Sequence, residues 1–235
     1  MELIRPALES LKRGEMILLY DAEGREEETD LVMASQFVRP GDVTRMRKDA
    51  GGLICTTVGP ECREKLQLPF LTELYDEAAG RYPVVGRLVP NDIPYDEKSA
   101  FTLTINHRKT FTGISDFDRA LTISEFAKLC GRLRKMGNGR AQEEFGKNFR
   151  SPGHVHLLNA ANGLLDGRKG HTELSTALVL MAGLLPSATV CEIIGDSGRS
   201  APKRDALSYA KRSGLVFIEG KDVLEAWRSW RAEHG

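Results

Sequence analysis

Between Asp21 and Asp30 the chain reads DAEGREEETD, six carboxylates and one arginine, directly after the apolar run Met16 to Tyr20. So many anions in one short turn can all ionise only if solvent, protons or a cation share their charge. Hard divalent ions take oxygen ligands, and Mg²⁺ usually takes one or two carboxylates while keeping its waters and substrate oxygens. Arg25 can neutralise part of that field or grip an anionic ligand through two parallel hydrogen bonds. The plain alternative is a solvated surface turn.

Three other stretches carry chemistry. Gly167-Arg168-Lys169-Gly170-His171-Thr172 precedes an apolar, helix-forming run. A basic, glycine-rich loop at a helix N-terminus offers free N–H groups and the positive end of the helix dipole to a phosphate. His171 stands at the lip of that site, where it could ligate a metal. In Ser151-Pro152-Gly153-His154-Val155-His156 the two histidines are spaced i and i+2, so on a strand they face the same way. Paired histidines suit a metal and also serve as ordinary structural residues. Glu192 closes the apolar segment Thr189-Val190-Cys191, and a carboxylate in such surroundings needs a partner or a shifted pKa. Cys55 follows a glycine pair and is either a site-facing thiol or a packing residue.

The elements that must position these groups are legible in outline. Leu3, Ala7, Leu8 and Leu11 repeat at helical spacing, so a helix opens the chain and Gly14 can end it. Glu15 to Tyr20 reads as a buried strand. Asp30 to Ser35 is a strand or a helix; as a strand it makes the acidic segment the tip of a hairpin. Further strands are expected at 53–58, 100–106, 188–194 and 215–218. Helices are expected at 116–131, 203–212 and from 222 onward. Thr172 to Leu185 should be a helix with Thr172 as its N-cap. Residues 76–98 read as a long loop, and Gly137 to Gly146 as a flexible linker. Interleaved strands and helices with no repeat give an α+β fold, a layered α/β/α sandwich on a mixed β-sheet, in one domain over 1–235.

Composition narrows the partners. The 33 basic and 33 acidic side chains cancel, so neither nucleic acid nor an anionic membrane is the expected partner. The longest apolar stretch, Ala177 to Leu185, is less than half a bilayer span. The N-terminus lacks a secretory apolar core, and the four cysteines form no C-x-x-C pair. Reduced thiols and a cytoplasmic location are the expectation.

Taken together and in order, six motifs resemble the 3,4-dihydroxy-2-butanone 4-phosphate synthases of riboflavin biosynthesis. They are the acidic run Arg25 to Asp30, Gly51 to Cys55, Thr112 to Arg119, Pro152 to Val155, Arg168 to Glu173, and Cys191-Glu192. The resemblance spans nearly the whole chain and is of the archaeal, monofunctional kind, with no cyclohydrolase domain. Glu27 and Thr29 stand where bacterial members carry Asn and Gly, and His156-Leu157 where Phe-Pro is common.

The resemblance implies conversion of D-ribulose 5-phosphate to L-3,4-dihydroxy-2-butanone 4-phosphate and formate, with Mg²⁺ as cofactor and Mn²⁺ as a substitute. It implies Glu26 and His171 as metal ligands. Arg25, Glu26, Asp30, Thr112, Arg168, Lys169, Gly170, His171, Thr172 and Glu192 would bind substrate. His154 and Glu192 would act in catalysis with Glu28, Cys55 and Asp21, while Glu23 would line the site. It further implies a homodimer in which Thr112 reaches the neighbouring pocket. Two other readings use the same parts: another metal-dependent sugar-phosphate lyase or isomerase, and a nucleotide- or RNA-binding module on the Arg168 loop.

Overall fold

The computed structural model describes residues 1–90 and 92–234. Its strands are β1 (Ile17–Tyr20), β2 (Thr29–Ala34), β3 (Cys55–Val58), β4 (Phe101–His107), β5 (Phe149–Asn159), β6 (Ala188–Glu192) and β7 (Val216–Glu219). They form one sheet in the order β4-β5-β3-β6-β2-β1-β7. It is mixed: β1/β7 and β3/β5 pair parallel, and β1/β2, β2/β6, β3/β6 and β4/β5 antiparallel.

Alternation along each strand sends side chains to two helical layers. Leu18, Leu31, Met33 and Cys191 face α2 (Pro40–Asp49), α3 (Pro60–Leu66), α5 (Asp116–Leu133), α6 (Asn138–Asn148) and α8 (Lys203–Ser213). Ile17, Leu19, Val32 and Val190 face α1 (Arg5–Lys12), α7 (His171–Met181) and α9 (Gly220–His234). This is the expected α/β/α layering. The strand reading of residues 30–35 holds, because β1 and β2 pair with Tyr20 opposite Thr29 and leave residues 21–28 as the connecting turn.

Alternation also assembles the site. Asp30 shares a face with Val32, Glu192 with Val190, and Cys55 lies opposite Val190. All three therefore project from the layer that holds α7. His156 lies opposite Cys55, so it and His154 belong to the same face.

Four expectations need correction. Residues 137–146 are not a linker but most of α6: Ala141 is fully buried and Phe145 packs against Phe126 and Phe149, so packing overrides the weak helix propensity of the glycines. The 76–98 stretch opens with the end of α4 (Leu71–Ala78) and contains a short 3-10 turn, Val85–Arg87. α7 begins at His171 with Gly170 as N-cap, and it ends at Met181. Cys62 and Cys130 are not separate thiols: they are joined as a disulfide 68 residues apart, because α3 packs beside α5 and brings their Cα atoms to 5.4 Å.

α7 is buried around most of its circumference. Two of its hydroxyls are satisfied from within: that of Ser175 donates to the His171 carbonyl at 2.6 Å and that of Thr176 to the Thr172 carbonyl at 2.7 Å. Among the described residues no helix is long and apolar enough to cross a membrane.

Candidate active site

The acidic turn is organised by Asp21, whose side chain is buried at the end of β1. One carboxylate oxygen accepts the backbone N–H of Glu26 at 3.0 Å and the other that of Glu28 at 3.1 Å. These bonds curl the turn so that Glu26 points toward the start of α7. There Glu26 Oε2 lies 3.1 Å from His171 Nδ1, and Glu26 Oε1 lies 2.6 Å from an Arg25 nitrogen. Burial works against the Glu26 charge, but His171 and Arg25 outweigh it and hold its pKa down at about 2. His171 is likewise opposed by burial and is raised to about 9 by the carboxylates of Asp30 and Glu26. Burial pushes Asp30, the most enclosed carboxyl of the group, well above the ordinary range despite His171 beside it.

The donor set fits a hard divalent cation. Ligand atoms of Asp21, Glu26 and His171 all lie within 4.8 Å of one another. His171 Nε2 and Asp30 Oδ1, 3.6 Å apart, are buried with no hydrogen-bond partner among the described residues. Unsatisfied buried polar atoms are uncommon, and a cation among them would meet that deficit. Two carboxylate oxygens and an imidazole, with room for water, suit Mg²⁺ or Mn²⁺.

At the other side of Glu26 the turn meets the anion loop. The guanidinium of Arg25 and that of Arg168 both lie over Gly170, and a side chain there would collide with each of them. A larger residue at Gly170 would push both guanidiniums out of place. Arg168 donates to Glu173, whose carboxylate is fully buried and also accepts the Ala161 N–H at 2.9 Å. Asp96 bridges the two arginines, at 3.0 Å from Arg25 and 2.5 Å from Arg168. Neither Asp96 nor the buried role of Glu173 was legible in the sequence. Asp96 falls in an aperiodic loop, and its only signal was the need of two half-buried arginines for a counter-charge.

A cavity of about 180 Å³ joins the two halves; Glu26, Glu28, Asp30, Cys55, Arg168, His171, Thr172 and Glu192 line it, with Tyr95 and Lys98 from the 93–99 segment. Glu28 is held toward it by the Ser200 hydroxyl. Glu192 is raised by burial and by Glu28, so it can keep or release a proton nearer neutrality than an ordinary carboxyl. Cys55 is pushed well above the normal thiol range by burial and then by Glu192, which keeps it a neutral thiol. Cys55 and Cys191, itself raised to about 12, should therefore resist iodoacetamide in the native protein at pH 8 while both react after unfolding. Labelling of Cys55 in the folded chain, read by mass spectrometry, would contradict this.

Four expected residues, His154, Thr112, Lys169 and Glu23, stand apart from this cavity in the single chain. His154 is exposed, with Nδ1 3.1 Å from Asn106, and Asn106 also donates to the Thr112 carbonyl at 3.4 Å. Gly153 permits that approach, since any side chain would strike the backbone of Ile105 and Asn106. Lys169 and Glu23 are exposed at the rim. Around Thr112 lie Phe111, Ile114 and Phe117, exposed to 93%, 53% and 76%.

The family model for 3,4-dihydroxy-2-butanone 4-phosphate synthase matches residues 5–226. The chain is 50% identical over 231 residues to the 3,4-dihydroxy-2-butanone 4-phosphate synthase of Methanothermobacter thermautotrophicus, covering 98% of each chain. It is 41% identical over 227 residues to that of Archaeoglobus fulgidus, covering 96% of this chain and 94% of the relative. Among solved structures, a 3,4-dihydroxy-2-butanone 4-phosphate synthase in complex with two magnesium ions superposes with a TM-score of 0.71 at 28% identity, covering 94% of each chain. The Candida albicans enzyme superposes with a TM-score of 0.72 at 29% identity, covering 95% of this chain and 96% of that one.

Proposed function

The chain belongs to the 3,4-dihydroxy-2-butanone 4-phosphate synthase family, and we propose how its site converts D-ribulose 5-phosphate to L-3,4-dihydroxy-2-butanone 4-phosphate and formate, the lyase step that supplies the four-carbon unit of riboflavin. The observation that carries the reading is one cavity with two unlike ends, Arg168 at a helix start, with Arg25 behind it, and a set of carboxyls beside His171.

The phosphate binds at the arginine end. Arg25, Arg168 and the free N–H groups of Gly170, His171 and Thr172 meet it there, with Lys169 adding charge from the rim. That grip lays the sugar along the cavity toward Glu28, Asp30 and Glu192. Glu26 and His171 hold Mg²⁺, for which Mn²⁺ can stand in, and Asp21 fixes the turn that carries Glu26. When bound, the ion supplies Lewis-acid stabilisation of negative charge on neighbouring sugar oxygens.

Enolisation and loss of the C1 hydroxyl need a base and an acid in reach at the same pH. Glu26, held down at about 2, and Asp30 and Glu192, raised by burial, provide such a division, with Glu28 beside them in the same cavity. Cys55, a neutral thiol, fills the floor of the cavity and excludes water.

His154 and Thr112 act across a homodimer. The exposed Phe111, Ile114 and Phe117 beside them are apolar surface of the kind that subunits cover, and an interface there would carry both residues to the other subunit's cavity. The cytoplasm is the site of action.

Formate release from ribulose 5-phosphate by the purified protein, with Mg²⁺ and then with excess chelator, tests the function. Mg²⁺-dependent formate is expected. Bound substrate without formate would leave an aldolase- or isomerase-type reaction, since neither releases a one-carbon product.

A further inference from the structure

Asp96 occupies the seat in which the arginine pair would hold an anion. Its Oδ2 accepts from Arg25 Nη2 at 3.0 Å and from Arg168 Nε at 2.5 Å. Both guanidiniums rest over Gly170 at the start of α7. The Asp96 carboxylate therefore fills the place where two guanidiniums and a helix N-terminus converge. It arrives on the 93–99 segment, which forms a shared wall of the 180 Å³ cavity and an adjoining one of about 600 Å³. The Tyr95 ring stacks over Arg25, with its centroid 5.5 Å from the guanidinium carbon.

Carboxylates already outnumber cations around this seat. Arg25 meets Asp21 at 3.3 Å, Glu26 at 2.6 Å and Asp96, while Arg168 meets Glu173 at 2.8 Å and Asp96. Two cations thus face four carboxylates, for a net charge of 2 − 4 = −2. A dianionic phosphoryl group is opposed while Asp96 stays, because Asp96 already takes a donor from each arginine and adds a like charge at the seat.

We propose that Asp96 is a specificity-determining residue, an internal competitor that the phosphate of the substrate must displace before the sugar can lie along the cavity. The inference rests on the sugar-phosphate reading above. An uncharged sugar offers the arginines nothing in exchange for Asp96. A monoanionic carboxylate replaces one like group with another. Only a phosphoryl dianion, with more charge and three acceptor oxygens, gains by the exchange. Asp96 therefore sets a threshold that favours phosphorylated ligands over other small anions, and its release couples phosphate binding to movement of the 93–99 segment.

Calorimetric titration of the full chain with inorganic phosphate tests this, using the natural protein and D96N, with formate release from ribulose 5-phosphate assayed in parallel. D96N should bind phosphate roughly tenfold more tightly, and phosphate should inhibit its formate release at correspondingly lower concentration. Unchanged or weaker phosphate binding by D96N would overturn the proposal and make Asp96 a residue that positions the arginines. If D96N does not fold, D96S carries the same test. Tighter phosphate binding without formate from either protein would support the Asp96 exchange and count against the synthase activity. Formate from both with no change in phosphate affinity would do the reverse.

Discussion

Glu26→Gln is expected to lower formate release from ribulose 5-phosphate by roughly 10³-fold with the fold intact. Glu26 holds three relations at once: to Arg25 at 2.6 Å, to His171 at 3.1 Å and, through its backbone N–H, to Asp21. The amide keeps the last and nearly the same volume. What it loses is the charge that offsets His171 and contributes an anionic oxygen to the cation. Removing such a ligand forfeits several kcal/mol of transition-state charge stabilisation, and ~4 kcal/mol corresponds to three orders of magnitude in rate. The readout is kcat with saturating Mg²⁺, together with Mg²⁺ affinity measured without substrate. A variant that turns over within threefold of the natural protein would remove Glu26 from the metal site.

The second large effect is expected at Arg168, and it divides into two parts. Arg168→Met leaves the Glu173 carboxylate, fully buried at the base of α7, without its cation at 2.8 Å. Stranding a buried charge destabilises a fold by about 3 kcal/mol or more. The same change removes the guanidinium that faces Asp96, so substrate affinity should fall roughly 10- to 100-fold, the loss of one charge-assisted contact. The double variant Arg168→Met, Glu173→Gln separates the two. Its amide oxygen can still accept the Ala161 N–H, so urea melts should recover most of the stability while KM stays high. Recovery of KM along with stability would mean that Arg168 acts only as a structural partner.

The parts of the site that were readable in the sequence are those that lie within one segment. The crowding of six carboxylates, the glycines around Arg168 and the helix beyond them each announce themselves locally; β1 and α7 formed close to where the sequence put them, and β2 took one of the two forms its ambiguous period allowed. Thr172 was the natural N-cap by residue type, yet the cap is Gly170, two residues earlier, which lies under the guanidiniums of Arg168 and the distant Arg25. What could not be read is the meeting of segments. Asp30, Cys55 and Glu192 share a face only because β2, β6 and β3 are neighbours in the sheet, and no spacing encodes that order. Asp96 is a still harder case, a single carboxylate on a loop whose partner arginines are 71 and 72 residues away. α6 was missed for the opposite reason. Its glycines spoke for a loop, while the evidence of helix lay in Ala141 and Phe145 finding a surface already built by Phe126 and Phe149.

The burial of α7 has a kinetic side. A helix enclosed around most of its girth and closed by its own hydroxyls exposes its amides to water only when the protein opens on a large scale, whereas the turn at 21–28 and the segment at 93–99 lie outside the core. His171 and the carboxyls on the strand ends therefore form the stationary half of the site, and Glu26, Glu28 and Asp96 ride on the half that can move. In deuterium exchange, substrate should slow the amides of those two loops by a large factor and leave α7, already slow, unchanged.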